Sequence, residues 1–313
     1  MASQATGVIK ARVRLGDRVF SGSTVIAGSI ILLVLAAVAL FLVVQAIPAI
    51  TAKAGTLPNS APNFWAYVWP LVFGTVWSAA IALIISIPIS IGVALFISHY
   101  APRRLAQGLG YVIDLLAAVP SVVFGLWGVL VLAREIQPFF VFLNANFGWI
   151  PLFGGVVSGT GKTVLTVAIV LAVMVLPIMT AVCREIFLQT PRLHEEAALA
   201  LGATRWEMIR MAVLPFARPG IISASMLGLG RALGETLAVA MVLSPAIVIN
   251  FLLLTSRNPN TIAANIALQF PEASGIGVNT LIASGLVLFV ITFIVNAAAR
   301  VAVNRRKAFS GAN

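Results

Sequence analysis

Val164-Leu165-Thr166-Val167-Ala168-Ile169-Val170-Leu171-Ala172-Val173-Met174-Val175-Leu176-Pro177-Ile178-Met179-Thr180-Ala181-Val182-Cys183 is a run of twenty residues without a charge, set between Lys162 and Arg184. A helix that crosses the hydrocarbon of a bilayer needs about 20 mostly apolar residues, so this segment alone is long enough to span one. Working outward, five further stretches have the same character: residues 21–47, 71–97, 109–133, 220–243 and 281–299. The chain therefore reads as an all-α membrane protein with six transmembrane helices. Composition points the same way: 60% of the 313 residues are hydrophobic, 9% are charged, and mean hydropathy is +1.06. A soluble domain of that length needs more polar surface, so lipid must solvate most of this one.

The net charge of +11 would suggest nucleic acid in a soluble protein. In a membrane protein the position of the basic residues matters more, because cytoplasmic loops collect Lys and Arg. With six spans both termini share a side. That side holds Lys10, Arg12, Arg14, Arg18, Arg103, Arg104, Arg184, Arg192, Arg205, Arg210, Arg218, Arg300, Arg305, Arg306 and Lys307; the other holds Lys53, Arg134, Lys162 and Arg257. Fifteen against four places both termini in the cytoplasm of a multi-pass protein in the cell inner (plasma) membrane, and no nucleic-acid partner is expected. The organisation is a basic N-terminal segment over residues 1–20, a six-helix transmembrane domain over 21–303 and a basic tail over 304–313. The first apolar run exceeds the 7–15 residues of a signal-peptide core, so an uncleaved first helix is expected. Trp65, Tyr67 and Trp69 read as outer-interface anchors. Pro88, Pro120 and Pro177 are expected to kink their spans. Cys183, the single cysteine, excludes an intrachain disulfide and a multi-cysteine metal site.

Directly after the quoted run comes a cytoplasmic loop, residues 184–218, with a definite grammar. Thr190 is placed to cap a helix with Pro191 at its first position and Glu195 and Glu196 in its first turn. Gly202 supplies the left-handed residue that ends it. Thr204 and Glu207 form a second capping box, and Pro215 is expected to limit the helix they start. Such a loop can be a plain interfacial amphipathic helix. However, Glu196-Ala197-Ala198, Gly202 and Leu214-Pro215 together resemble the EAA signature of ATP-binding-cassette importer permeases, departing from it at Ala212, where that family usually has isoleucine. The resemblance implies a type I importer permease architecture, and assigns Glu196, Ala197, Ala198, Gly202, Leu214 and Pro215 to the segment that docks on a nucleotide-binding subunit.

Three stretches narrow the resemblance to phosphate-specific permeases of the PstC type: Asp114–Gly128, Trp206–Phe216 and Leu227-Gly228-Leu229-Gly230-Arg231-Ala232-Leu233-Gly234-Glu235-Thr236. This implies translocation of inorganic phosphate. The implied partners are a homologous permease of the PstA type, a dimeric ATPase of the PstB type and an extracytoplasmic phosphate-binding protein of the PstS type. Arg231 lies about 16 Å into its span at 1.5 Å per residue, near the middle of a core about 30 Å thick. A guanidinium there must face a partner or a wet cavity, and its planar donors suit an oxyanion. Glu235, at i+4, is expected to lie on the same face and pair with it. Arg231 and Glu235 are therefore the candidate substrate-pathway residues, read against a buried ion pair that merely locks the bundle. Gly230 and Gly234 read as a close helix-packing step; Asp114 reads as structural.

Other signals carry less. Gly159-Thr160-Gly161-Lys162-Thr163 imitates a phosphate loop, but the position that needs glycine is Val156. His99 and His194 are solitary and loop-placed, so no metal or proton relay is assigned, and Arg257 reads as a solvated charge. There is no nucleophile–base motif: the chain is expected to be no enzyme, to hold no cofactor and to borrow its ATPase. Import of sulfate or molybdate, an ATP-independent secondary transporter or channel, and a phosphate sensor are the alternatives.

Overall fold

The computed structural model describes residues 15–307. Residues 1–14 of the basic leader and 308–313 of the tail lie outside that range. The chain runs through α1 (Leu15–Ile50), α2 (Phe64–Leu95), a wide π turn (Phe96–Tyr100), α3 (Arg103–Ala117) and α4 (Ser121–Trp127). A second π turn (Gly128–Leu132) leads to α5 (Ala133–Glu135), α6 (Gln137–Phe147) and α7 (Val164–Leu188). Then follow α8 (Arg192–Ala200), α9 (Arg205–Met208), a third π turn (Ile209–Val213), α10 (Leu214–Gly234), α11 (Leu237–Val242), α12 (Ile262–Gln269) and α13 (Ile276–Lys307). Five helices are long and apolar enough to cross a membrane, and a sixth span forms if the bent pair α3 and α4–α5 is counted as one.

The quoted run becomes the central post. Thr163 caps α7 by accepting the Thr166 N–H at 3.2 Å. Val167, Leu171, Met174, Val175 and Met179 are almost wholly buried, with α2 and α10 packed along the helix. Close approach of α10 rests on Gly228, where a Cβ would sit 2.7 Å from Val175 Cγ1. α1 pairs mainly with α13 and leaves its apolar side chains bare, Leu32 and Leu33 at 69% among them. Such a surface suits lipid, which needs no polar cover.

The phosphate-loop imitation has a packing explanation. Gly161 has φ +67°, and a Cβ there would overlap the Ala133 carbonyl oxygen. Nearby, the link between α11 and α12 is held by Asn258, which is fully buried. Its side-chain NH2 donates to the carbonyls of Lys162, Ser244 and Ser256, and its Oδ1 accepts the Val164 N–H that opens α7. Short parallel strands β1 (Pro245–Ala246) and β2 (Asn258–Pro259) close the same link.

Several expectations are corrected. The third span is no continuous helix over 109–133: α3 and α4–α5 meet at 91°. Pro120 has no N–H to continue the ladder and drives Val119 out of helical geometry. Pro88 and Pro177, by contrast, lie within unbroken helices. The fifth span ends at Gly234, not at 243, and Leu237–Val242 is a separate helix. Trp65 and Trp69 are exposed as anchors should be, but Tyr67 is 1% exposed and hydrogen-bonded to Gln269 and Asn265. A residue two places along a helix points about 200° away, so the three could not share a face.

Candidate functional site

Two regions gather the candidate residues. The first is the loop between α7 and α10. Helix α8 begins at Arg192 with Pro191 as its cap, and the Thr190 hydroxyl is buried without a partner, so the expected Thr190 cap does not form. At the other end the reading holds. Gly202 has φ +85°, the Ala203 N–H donates to the Ala198 carbonyl and the Gly202 N–H to that of Leu199. This is a Schellman closure, which a residue with a Cβ makes at a steric cost. The Thr204–Glu207 capping box is present with both reciprocal bonds.

Pro215 does not limit that helix. From Arg205 to Gly234 the chain is one 30-residue helical rod. The π turn at Ile209–Val213 takes up the strain, because the Leu214 N–H reaches back five residues to Ile209 and relaxes the turn that Pro215 would otherwise clash with. Glu196 and Ala197 face outward, whereas Ala198 is buried against Met208, Ile209 and Val213. Leu193 (76%), Leu201 (87%), Trp206 and Met211 are bare on the same segment, an apolar surface beside arginines. Leu214 is partly buried and Pro215 exposed. His99, placed in the loop by sequence reasoning, ends the helical run from α2 and sets its Nε2 3.5 Å from Glu195 Oε1. Nothing in the spacing of residues 99 and 195 signals that contact.

The second region surrounds Arg231. Its guanidinium stands between two cavities. One, of about 490 Å³, is lined by Ile178, Ser223, Met226 and Asn296. The other, of about 470 Å³, is lined by Ala117–Ser121, Gly234 and Glu235. A third, of about 650 Å³, shares Ser223, Met226 and Asn296 with the first and extends to Arg300. The three form a groove along α10 and α13, from Arg300 past Arg231 to the break at Pro120.

The expected Arg231–Glu235 pair is absent: among the described residues the only contact within 4.0 Å between a basic side chain and a carboxylate is His99–Glu195. The reason is local. α10 stops at Gly234 and Glu235 is extended (φ −69°, ψ 127°), so the i+4 face is not kept. Glu235 is 9% exposed and its Oε1 accepts the Ala238 N–H at 3.1 Å, holding the first turn of α11. Arg231 Nε is buried with no hydrogen-bond partner. Gly230 and Gly234 also differ from expectation: a Cβ at either would meet nothing within 4 Å, so they open the groove rather than pack a helix. The result is a free guanidinium beside bare backbone, in a space large enough for a hydrated oxyanion.

A sequence model of binding-protein-dependent transport system inner membrane components matches residues 86–308, and the chain belongs to that family. Among curated relatives, the phosphate transport system permease proteins PstC 2 of Mycobacterium bovis and Mycobacterium tuberculosis are each 46% identical over 297 residues, which is 92% of this chain and 91% of theirs. PstC of Mycobacterium leprae is 50% identical over 219 residues, 66% of each chain. Among solved structures, an inward-facing MetNI methionine ABC transporter gives a TM-score of 0.48 at 18% identity, covering 77% of this chain and 96% of that one, a likeness too slight to build on.

Proposed function

We propose that this chain is the phosphate-conducting permease subunit of an ATP-driven importer. The observation that carries the mechanism is Arg231: a guanidinium with an unpartnered Nε, standing where two cavities meet on a spanning helix. Holding an arginine at membrane depth costs at least about 2.5–3.5 kcal/mol, a cost offset when the site serves an anion. The names of the relatives supply the anion, phosphate. Two parallel N–H···O bonds from Arg231 would hold it, while the openness of the groove keeps the station weak enough for release. Glu235 lines the same cavity and, through its Oε1 bond to the Ala238 N–H, positions α11 against the station.

In this reading both termini are cytoplasmic and hydrolysis takes place on a separate ATPase of the PstB type. A PstS-type protein delivers phosphate, and a PstA-type permease covers the open side of the groove. The segment Glu196–Pro215 receives the ATPase through its bare Leu201 and Trp206, with Leu193 exposed just before it. Its movement passes along the Arg205–Gly234 rod to Arg231.

The test is uptake of radiolabelled phosphate in cells expressing the whole complex, for wild type, Arg231→Gln and Arg231→Lys, with membrane level and ATPase co-purification measured in parallel. Assembly at normal levels with uptake reduced at least tenfold in Arg231→Gln supports the station. Normal uptake by an assembled Arg231→Gln complex refutes it. Competition by unlabelled sulfate or molybdate as strong as by phosphate would reassign the substrate.

A further inference from the structure

A cavity of about 500 Å³, sharing no residue with the groove, opens where α3, the C-terminal end of α7 and the first residue of α8 meet. Arg103, Arg184 and Arg192 line it, with Asp114 as the one acid. Arg184 is the most committed of them. Its Nε is buried without a hydrogen-bond partner, and its guanidinium lies in the space a Cβ at Gly110 would take. Asp114 does not neutralise it: among the described residues no arginine comes within 4.0 Å of a carboxylate. A buried donor left unpaired is unfavourable, the more so when it is charged, so the arrangement is incomplete without an acceptor.

The surroundings suggest which acceptor. α3 is strongly amphipathic and stands at 91° to the helix pair that follows it. Its Tyr111, at the cavity, is 77% exposed and its Leu115 71%. A helix with a bare apolar face beside arginines belongs at the level of lipid headgroups. Three guanidiniums against one carboxylate select an anion, and the planar fork of arginine matches phosphate oxygens in pairs.

We propose that this cavity is a binding site for a phosphate-bearing anion, either the headgroup of an anionic phospholipid or inorganic phosphate, held chiefly by Arg184 with Arg103 and Arg192 at its rim. Because Arg192 opens α8, an occupied site ties the loop helix to α3 and α7. The proposal does not depend on the transport reading.

The experiment uses the purified full-length chain in neutral-detergent micelles and measures thermal unfolding. The titrants are phosphatidylglycerol, phosphatidylcholine as the zwitterionic control, and, separately, inorganic phosphate. Phosphatidylglycerol or inorganic phosphate is expected to raise the wild-type melting temperature. Its apparent Kd should weaken at least tenfold in Arg184→Gln, and measurably in the rim variant Arg103→Gln/Arg192→Gln, which leaves the buried arginine in place. Arg231→Gln should respond as wild type does, which separates this site from the groove. A response to phosphatidylglycerol alone assigns a lipid headgroup, and a response to inorganic phosphate alone assigns the free anion. No response to either, an equal response to phosphatidylcholine, or an undiminished response in both the Arg184 and the rim variants overturns the proposal.

Discussion

Alanine in place of Gly228 should destabilise the fold, whereas alanine in place of Gly230, two residues on, should not. The two positions lie about 200° apart around α10. At Gly228 a Cβ would stand 2.7 Å from Val175 Cγ1, 2.8 Å from Met179 Sδ and 3.1 Å from Met179 Cγ. Ordinary carbon contacts are about 3.5–4.0 Å, so each neighbour must retreat. Val175 and Met179 are fully buried, and the valine is stiff at χ1, which leaves little room to do so. Overpacking of this kind costs about 1–3 kcal/mol, against an intrinsic helix gain of about 0.5–1 kcal/mol for alanine over glycine. A net loss of about 1–2 kcal/mol shifts the folding equilibrium roughly 5- to 30-fold. At Gly230 nothing lies within 4 Å of a Cβ, so only the helix gain remains. Equilibrium unfolding of the purified chain in mixed micelles reads both variants against wild type. If Gly230→Ala falls as far as Gly228→Ala, or if Gly228→Ala is unchanged, the assignment of the packed and open faces of α10 is wrong.

Three further outcomes are expected. Gly202→Val puts a β-branched residue at φ +85°, a strain of at least about 1–2 kcal/mol confined to the turn because nothing lies within 4 Å of a Cβ there; membrane levels should hold while phosphate uptake drops several-fold. Asn258→Ala removes the acceptor of the Val164 N–H and the donor to three carbonyls; at about 1–3 kcal/mol for each buried group left unpaired, a clearly lower melting temperature is expected, and an unchanged one would mean that water replaces the side chain. Thr204→Ala should cost about 1 kcal/mol at the start of α9, seen as faster amide exchange at Glu207 with the rest of the rod unaffected.

The sequence carried the spans because lipid tolerates only long apolar helices, so composition over twenty residues is decisive. It carried Gly202 and the Thr204–Glu207 box because capping is a contract between residues three or four apart. The places where it failed depend on information that is not local. Pro88, Pro120 and Pro177 look alike in the chain, yet only Pro120 breaks its helix; the Cβ-free Gly125 in α4 and Gly128 in the π turn after it allow close packing against Ala238 and Val170 in a new direction. The Arg231–Glu235 pair failed because helical periodicity was assumed through Gly234, where the helix stops. His99–Glu195, the Asn258 hub and the arginine cavity join residues far apart in sequence and left no periodic trace. The bare apolar residues of α8 and α9 were visible as residue types, but that they face outward was not.

The rod from Arg205 to Gly234 also fixes an angle. Each residue turns a helix by about 100°, so the azimuth of Arg231 is set by the exact number of residues separating it from the capping box at Thr204. Adding or removing one residue anywhere between them would swing the guanidinium by more than a quarter-turn, out of the groove and into α7 or lipid, without touching either end. Length in this stretch is therefore under a phase constraint, like the teeth of a gear. Insertions should be tolerated only in whole turns, or beyond Gly234, where the helix has already let go.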